Sequence, residues 1–423
     1  MRGGQATSNS LAGSTTPWLD LDHLIRLVLY IYILSLPFKS MLIVERNGFI
    51  VLLILLAFWC LRHRRLFLIR TPFDRPIIAY VLWIGLTIPF AMFPAYSLKE
   101  YGKLLQQILV FYAICYFFQD GMHRRYLLVC LLTPLVLVSA YGIVQYDPTH
   151  PQAMQSFLPA EVWLTTYLVM FLPIVLALAF EIETPWIKTP AYATVALSAI
   201  SLVLTQSRAG LVALVSELWV WGWLLRRHFA LVIAGGITLT ISVALAIVLI
   251  TDWGGLRSFE ELRAYIPIRS TPSSVVHRFD IWAFCVSEII KHPIVGIGYG
   301  KDNYKLVYGE QPEVVEPGHA PVKSAGVHNI LLYHALHVGL PGLFVFLWLM
   351  GAILHQLFLS LRFTKNPEKR SLLLGTYVST VGLMVRCFFD HMFIGTLAIL
   401  YWVILAVTVI YLTTPEESFY SRS

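Results

Sequence analysis

Residues 190–225 read PAYATVALSAISLVLTQSRAGLVALVSELWVWGWLL. As one helix this run would measure roughly 54 Å at about 1.5 Å per residue, against an apolar bilayer core of about 30 Å. It is too long for a single span, so its polar centre, Thr205-Gln206-Ser207-Arg208-Ala209-Gly210, must be a turn between two membrane helices. Comparable apolar runs lie upstream near 24–42, 48–62, 76–94, 104–118, 125–144 and 163–181, and downstream near 229–250, 328–360, 371–388 and 393–412. With 190–205 and 209–225 they make about twelve spans, which predicts an all-α polytopic membrane protein.

Composition points the same way. The 423 residues are 57% hydrophobic and 13% charged, with a mean hydropathy of +0.70. The formal charge of +7 does not imply a nucleic-acid partner, because Lys and Arg sit in short clusters between apolar runs rather than along a water-exposed stripe. They read as topology signals. Cys60, Cys115, Cys130, Cys285 and Cys387 form no CxxC and have no His at ligand spacing, so free, mostly buried thiols are expected and no metal site.

Basic clusters mark alternate loops: Arg62, Arg64, Arg65, Arg70 and Arg75; Arg124 and Arg125; Lys188; Arg226 and Arg227; then Arg362, Lys365, Lys369 and Arg370. These loops are expected in the cytoplasm, with both termini. The expected layout is helices one to nine within 1–250, a polar non-cytoplasmic cap at 251–327, helices ten to twelve within 328–412, and a cytoplasmic tail at 413–423. Within the cap, VVHRFDIWAFCVSEIIKH (275–292) sets Phe279, Trp282, Val286, Ile289 and Ile290 on one face at helical spacing, and Pro293 ends the run. An amphipathic helix lying on the membrane is expected there. The run 328–360 is overlong, and Gly339-Leu340-Pro341-Gly342 predicts a kink within it.

The same topology puts Arg208, the cap, His328, Arg386, Asp390 and His391 on one side of the membrane. An Arg between two apolar segments, such as Arg208, either snorkels to the interface and anchors a turn or holds an anion. Arg278, on the polar face of the cap helix, is either solvated or the second guanidinium that a diphosphate would want. His328 either flanks a helix or transfers a proton, and His334 and His337 could face the same site. Arg386 and Asp390, at i,i+4, either pair with each other or serve the site, by orienting the histidine or binding sugar hydroxyls. Gly296-Ile297-Gly298-Tyr299-Gly300 follows no strand and is read as a tight turn, its backbone amides available to an anion at most.

Three stretches together resemble the bacterial O-antigen ligase and O-antigen polymerase superfamily: Thr205 to Gly210; His277-Arg278 through Trp282 to Pro293 and Gly300; and a histidine motif. In the ligases the motif runs His, then Asn, Ser or Gln, nine residues, Gly, two residues, and Gly, Thr or Tyr. Here His328-Asn329, the nine residues from Ile330 to Val338, Gly339, Leu340-Pro341 and Gly342 fit it without a gap. The resemblance implies a glycosyltransferase C-like enzyme of the bacterial inner membrane, multi-pass, with its active site facing the periplasm. The implied donor is an O-antigen glycan on undecaprenyl diphosphate, drawn from among the membrane lipids, and the implied acceptor is the lipid A core oligosaccharide. No cofactor or metal is implied. Carried over residue by residue, His328 would be the general base and Arg208 and Arg278 would bind and neutralise the diphosphate, with Asn329, Arg386 and Asp390 as further substrate contacts. A single displacement predicts inversion at the anomeric carbon. An O-antigen polymerase, a ligase transferring glycan to protein, and a transporter or flippase are the competing readings. A transporter would place its ionisable residues near the bilayer midplane instead.

Overall fold

The computed structural model describes residues 21–147, 154–181, 185–225, 272–313 and 321–414. Among them lie thirteen α-helices: α1 (Leu21–Ser35), α2 (Leu42–His63), α3 (Asp74–Thr87), α4 (Pro94–Phe117), α5 (Gly121–Gln145), α6 (Glu161–Glu181), α7 (Pro185–Leu204), α8 (Arg208–Leu225), α9 (Pro272–Lys291), α10 (Asn303–Tyr308), α11 (Ile330–Phe363), α12 (Pro367–Phe389) and α13 (Gly395–Thr413). No strand occurs among the described residues. Six of the helical stretches are long and apolar enough to cross a membrane: Lys39–His63, Gly121–Gln145, Glu161–Phe180, Ile330–Phe363, Pro367–Phe389 and Gly395–Thr413. Every apolar run read from the sequence is helical except that near 229–250, which lies outside the described residues.

The boundaries shift where local chemistry dictates. The run 24–42 ends at Ser35 because Pro37 follows, and a 3-10 turn at Lys39–Met41 leads into α2. Helix α4 starts ten residues before the run expected at 104, since its first turns carry Lys99, Glu100 and Lys103 and are polar. The α7–α8 turn is built as the length argument requires. Gln206 takes a left-handed φ of 54°, and the Ser207 hydroxyl accepts the Gly210 N–H at 3.2 Å as the cap of α8.

Helices α6, α12 and α13 form the buried spine; α13 is buried around its whole circumference from Leu397 to Tyr411. Helix α2 lies at the rim, presenting Ile43, Ile54 and Leu61 outward. Helix α6 packs along α12, with Gly375 against the Ile174 backbone, and Gly395 at the head of α13 lies against Trp163.

Helix α11 is two helices joined at Gly339, whose φ of 76° and ψ of 172° are non-helical. Pro341 lacks the N–H that would bond to the His337 carbonyl, and the break turns the Leu340 N–H away from Leu336. The segment after α9 supplies the missing partners. Ile297 N–H donates to Leu336 O and Gly298 N–H to His337 O, each at 2.9 Å, while Leu340 N–H donates to Pro293 O at 2.8 Å. Close approach requires glycine on both sides: a Cβ on Gly296 would meet the His337 backbone, and one on Gly339 the Ile294 carbonyl. Two amides of the Gly296–Gly300 turn are therefore taken up by α11 and are not offered to an anion.

Candidate active site

Four elements converge at one end of the bundle. Asn329 caps α11, its side-chain oxygen accepting the N–H groups of Leu331 at 2.8 Å and Leu332 at 3.1 Å. That leaves His328 outside the helix at a left-handed φ of 49°, a conformation costly for a residue with a Cβ and one that turns the imidazole away from the apolar run. Its Nδ1 lies 2.9 Å from Oδ1 of Asp390, the residue that ends α12. The other carboxylate oxygen of Asp390 is 3.7 Å from Nη2 of Arg386, one turn earlier on α12.

Burial pushes the Asp390 carboxyl up, but the His328 hydrogen bond and the positive charges of Arg386, His328 and Arg278 outweigh it and hold the group below the usual carboxylate range. An ionised carboxylate only accepts hydrogen bonds, so the neutral imidazole beside it carries its proton on Nδ1. Nε2 then presents a bare lone pair. The His328 side chain is 37% exposed and Asp390 16%, so the acceptor nitrogen belongs to the member of the pair that can meet a substrate.

Arg278 reaches this cluster through the cap helix. Trp282, one turn further along α9, packs edge-on against Phe388 of α12 at 5.7 Å between ring centroids, and residues at i,i+4 share a helical face. The Arg278 charge acts on Arg386, Asp390 and Arg208 alike. The first residue of α8, Arg208, is half-buried beside the helix's N-terminal amide groups, which also favour an anion. Arg386 is 1% exposed, and its Nε and Nη1 have no hydrogen-bond partner among the described residues. The His328–Asp390 pair thus has Arg386 beside it and feels the charge of Arg278, which Arg208 feels in turn.

Several expectations change. Asn329 does not read as a substrate contact, because it is buried and its oxygen is committed to the α11 cap. His334 and His337 are core residues: their Nδ1 atoms face the carbonyls of Ile330 and Tyr333, and His334 Nε2 meets the Tyr80 hydroxyl at 2.9 Å. His391 stacks on Tyr333 at 3.8 Å, and burial drives its pKa well below the ordinary histidine value, so it stays neutral. The cap helix carries two apolar stripes rather than one: Ile281, Cys285 and Ile289 face the protein, while Phe279, Val286 and Ile290 face outward. Among the described residues no three His, Cys, Asp or Glu side chains are grouped as metal ligands would be.

Residues 193–347 match the O-Antigen ligase family. The match supports the O-antigen ligase superfamily for this chain and, with it, a membrane glycosyltransferase of the ligase or polymerase type in lipopolysaccharide biosynthesis. It takes in the Arg208 turn, the cap helix and the histidine motif, and it ends before Arg386 and Asp390. No curated protein matches the chain.

Proposed function

We propose that this membrane protein is an O-antigen ligase, which transfers O-antigen glycan from undecaprenyl diphosphate to a hydroxyl of the lipid A core at the periplasmic face of the inner membrane. The observation that carries the reading is the His328–Asp390 hydrogen bond, which leaves Nε2 free to accept a proton, with Arg386 on the other oxygen of the carboxylate. His328 Nε2 takes the proton of the acceptor hydroxyl as its oxygen attacks the anomeric carbon. The bond from that carbon to the diphosphate oxygen breaks, and its electron pair leaves with the diphosphate. Arg208 and Arg278 neutralise the departing charge, each offering a planar fork of donors matched to phosphate oxygens. One displacement inverts the anomeric centre. The charge of the loops supports a periplasmic active end, since the basic clusters lie in the alternate loops.

His328→Ala tests the assignment. Lipopolysaccharide from a strain carrying only this variant is expected to show bare core with undecaprenyl-linked polymer accumulating, at an unchanged level of the protein. A normal ladder would remove His328 from the mechanism, and core bearing one repeat unit would identify a polymerase.

A further inference from the structure

We propose that Glu217, outside the transfer site, is a proton-binding site in the membrane interior that holds α8 against α12 only while it is neutral. The side chain lies midway along α8 and is 2% exposed. Neither carboxyl oxygen has a hydrogen-bond partner among the described residues. Its head rests on Gly382 of α12, where an added Cβ would collide with Oε1. An ionised carboxylate at such a place, with no cation to meet it among the described residues, would carry a prohibitive desolvation cost, and such a group keeps its proton instead.

Further buried hydroxyls lie on the helices packed against α8: Ser379 is one turn from Gly382 on the same face of α12, and Tyr167 is on α6. The hydroxyls of Tyr167 and Ser379 are buried and have no partner among the described residues. Helices α8 and α12 thus bring a carboxyl and a hydroxyl close together in an apolar layer. Among the titratable groups on the packed elements are Arg208 at the head of α8, Arg386 and Cys387 above Gly382 and Tyr377, Arg370, Lys369 and Glu368 below it on α12, Glu161 of α6, Lys188 and Tyr192 of α7, the latter packed on Phe180, and His355 of α11. None of them forms an ion pair or hydrogen bond with Glu217.

The position gives the proton a consequence. Arg208 stands nine residues above Glu217 on α8, and Asp390 eight residues above Gly382, so the contact lies about 12–14 Å beneath both halves of the transfer site. Ionisation would draw water to the carboxylate, part α8 from α12 and separate Arg208 from Asp390. Glu217 acts on the site through these helices and is a positioning residue. This last step rests on the proposed transfer reaction; proton binding itself does not.

The full-length protein in detergent tests both. Dicyclohexylcarbodiimide, an apolar reagent that modifies protonated carboxyls, is expected to label Glu217 on peptide mapping, with labelling fading as pH rises. Glu217→Gln fills the seat with a neutral group of the same shape. It is expected to match the wild type in thermal stability and glycan transfer at neutral pH, and to lack the loss of both that the wild type shows on alkalinisation. An unlabelled Glu217, superimposable stability–pH curves, or a Glu217→Gln protein that fails to fold would each overturn the proposal. Absence of glycan transfer in wild type and variant alike would instead count against the ligase reading, and the labelling and stability curves would still decide this one.

Discussion

Asp390→Asn keeps the shape of the side chain and removes its charge, and the structure separates two effects of different size. The first falls on the imidazole. A carboxylate 2.9 Å from Nδ1 fixes the proton there, whereas the Asn amide can donate to Nδ1 and place the proton on Nε2, where the lone pair is needed. General-base catalysis contributes about 10²–10⁴-fold, so kcat should fall by that factor. The donor KM should change little, because Arg208 and Arg278 remain. The second effect falls on Arg386, which is 1% exposed and loses the anion 3.7 Å away. Removing one partner of a buried pair costs about 3–5 kcal/mol, so the variant should also melt earlier. The pH dependence follows from the direction of the Asp390 shift. Its carboxyl is held below the usual range, so its contribution is complete above the ordinary carboxylate pKa of about 4 and is lost as pH falls through the lower folded value. The gap in Tm between wild type and variant should therefore hold at neutral pH and close on acidification. The assay is transfer of labelled lipid-linked glycan to core acceptor, expressed per folded molecule, beside thermal unfolding of the same preparations. Wild-type kcat per folded molecule would show that Asp390 does not set the tautomer, and the argument for His328 as base would lose its support.

Arg278→Lys keeps the charge but removes the planar fork, and should raise the donor KM by about tenfold or more if two parallel hydrogen bonds to the diphosphate matter; unchanged kinetics would mean a point charge suffices. Gly339→Ala forces a Cβ into the Ile294 carbonyl at a left-handed φ and should cost at least about 1–3 kcal/mol, read as a lower Tm and a smaller yield of folded protein. A fully stable Gly339→Ala protein would mean that the α11 break can move.

Much of the frame was legible because bilayer thickness is a hard constraint on helix length. It located the turn at 205–210 from length alone, and Gly339 with Pro341 marked the break in α11 because one tolerates left-handed backbone and the other lacks an N–H. The pairing of His328 with Asp390 spans 62 residues and joins the start of one helix to the end of another, so no local spacing encodes it. The i,i+4 spacing left two readings open for Asp390, a pair with Arg386 or a carboxylate that orients the histidine, and the structure does both, one oxygen to each neighbour. The role of Asn329 could have been read, since Asn directly before an apolar run is a helix-cap signal, and the histidine motif drew attention away from it. The two-sided cap helix was missed because a stripe at helical spacing identifies an apolar face without saying what covers it. Only packing assigned Ile281 and Cys285 inward and Phe279 and Ile290 outward.

The stitch between 293–298 and the broken helix bears on how such proteins can be recombined. Each strand of the seam supplies the hydrogen bonds the other lacks: the Leu336 and His337 carbonyls need the Ile297 and Gly298 amides, and the Leu340 amide needs the Pro293 carbonyl. A chimera that grafts a foreign cap at the end of α9 while keeping the resident α11 would bury orphaned backbone groups on both sides of the join. Exchange of acceptor or donor preference between homologues should therefore succeed only when the crossover points fall outside 293–340, so that both edges of the seam travel together.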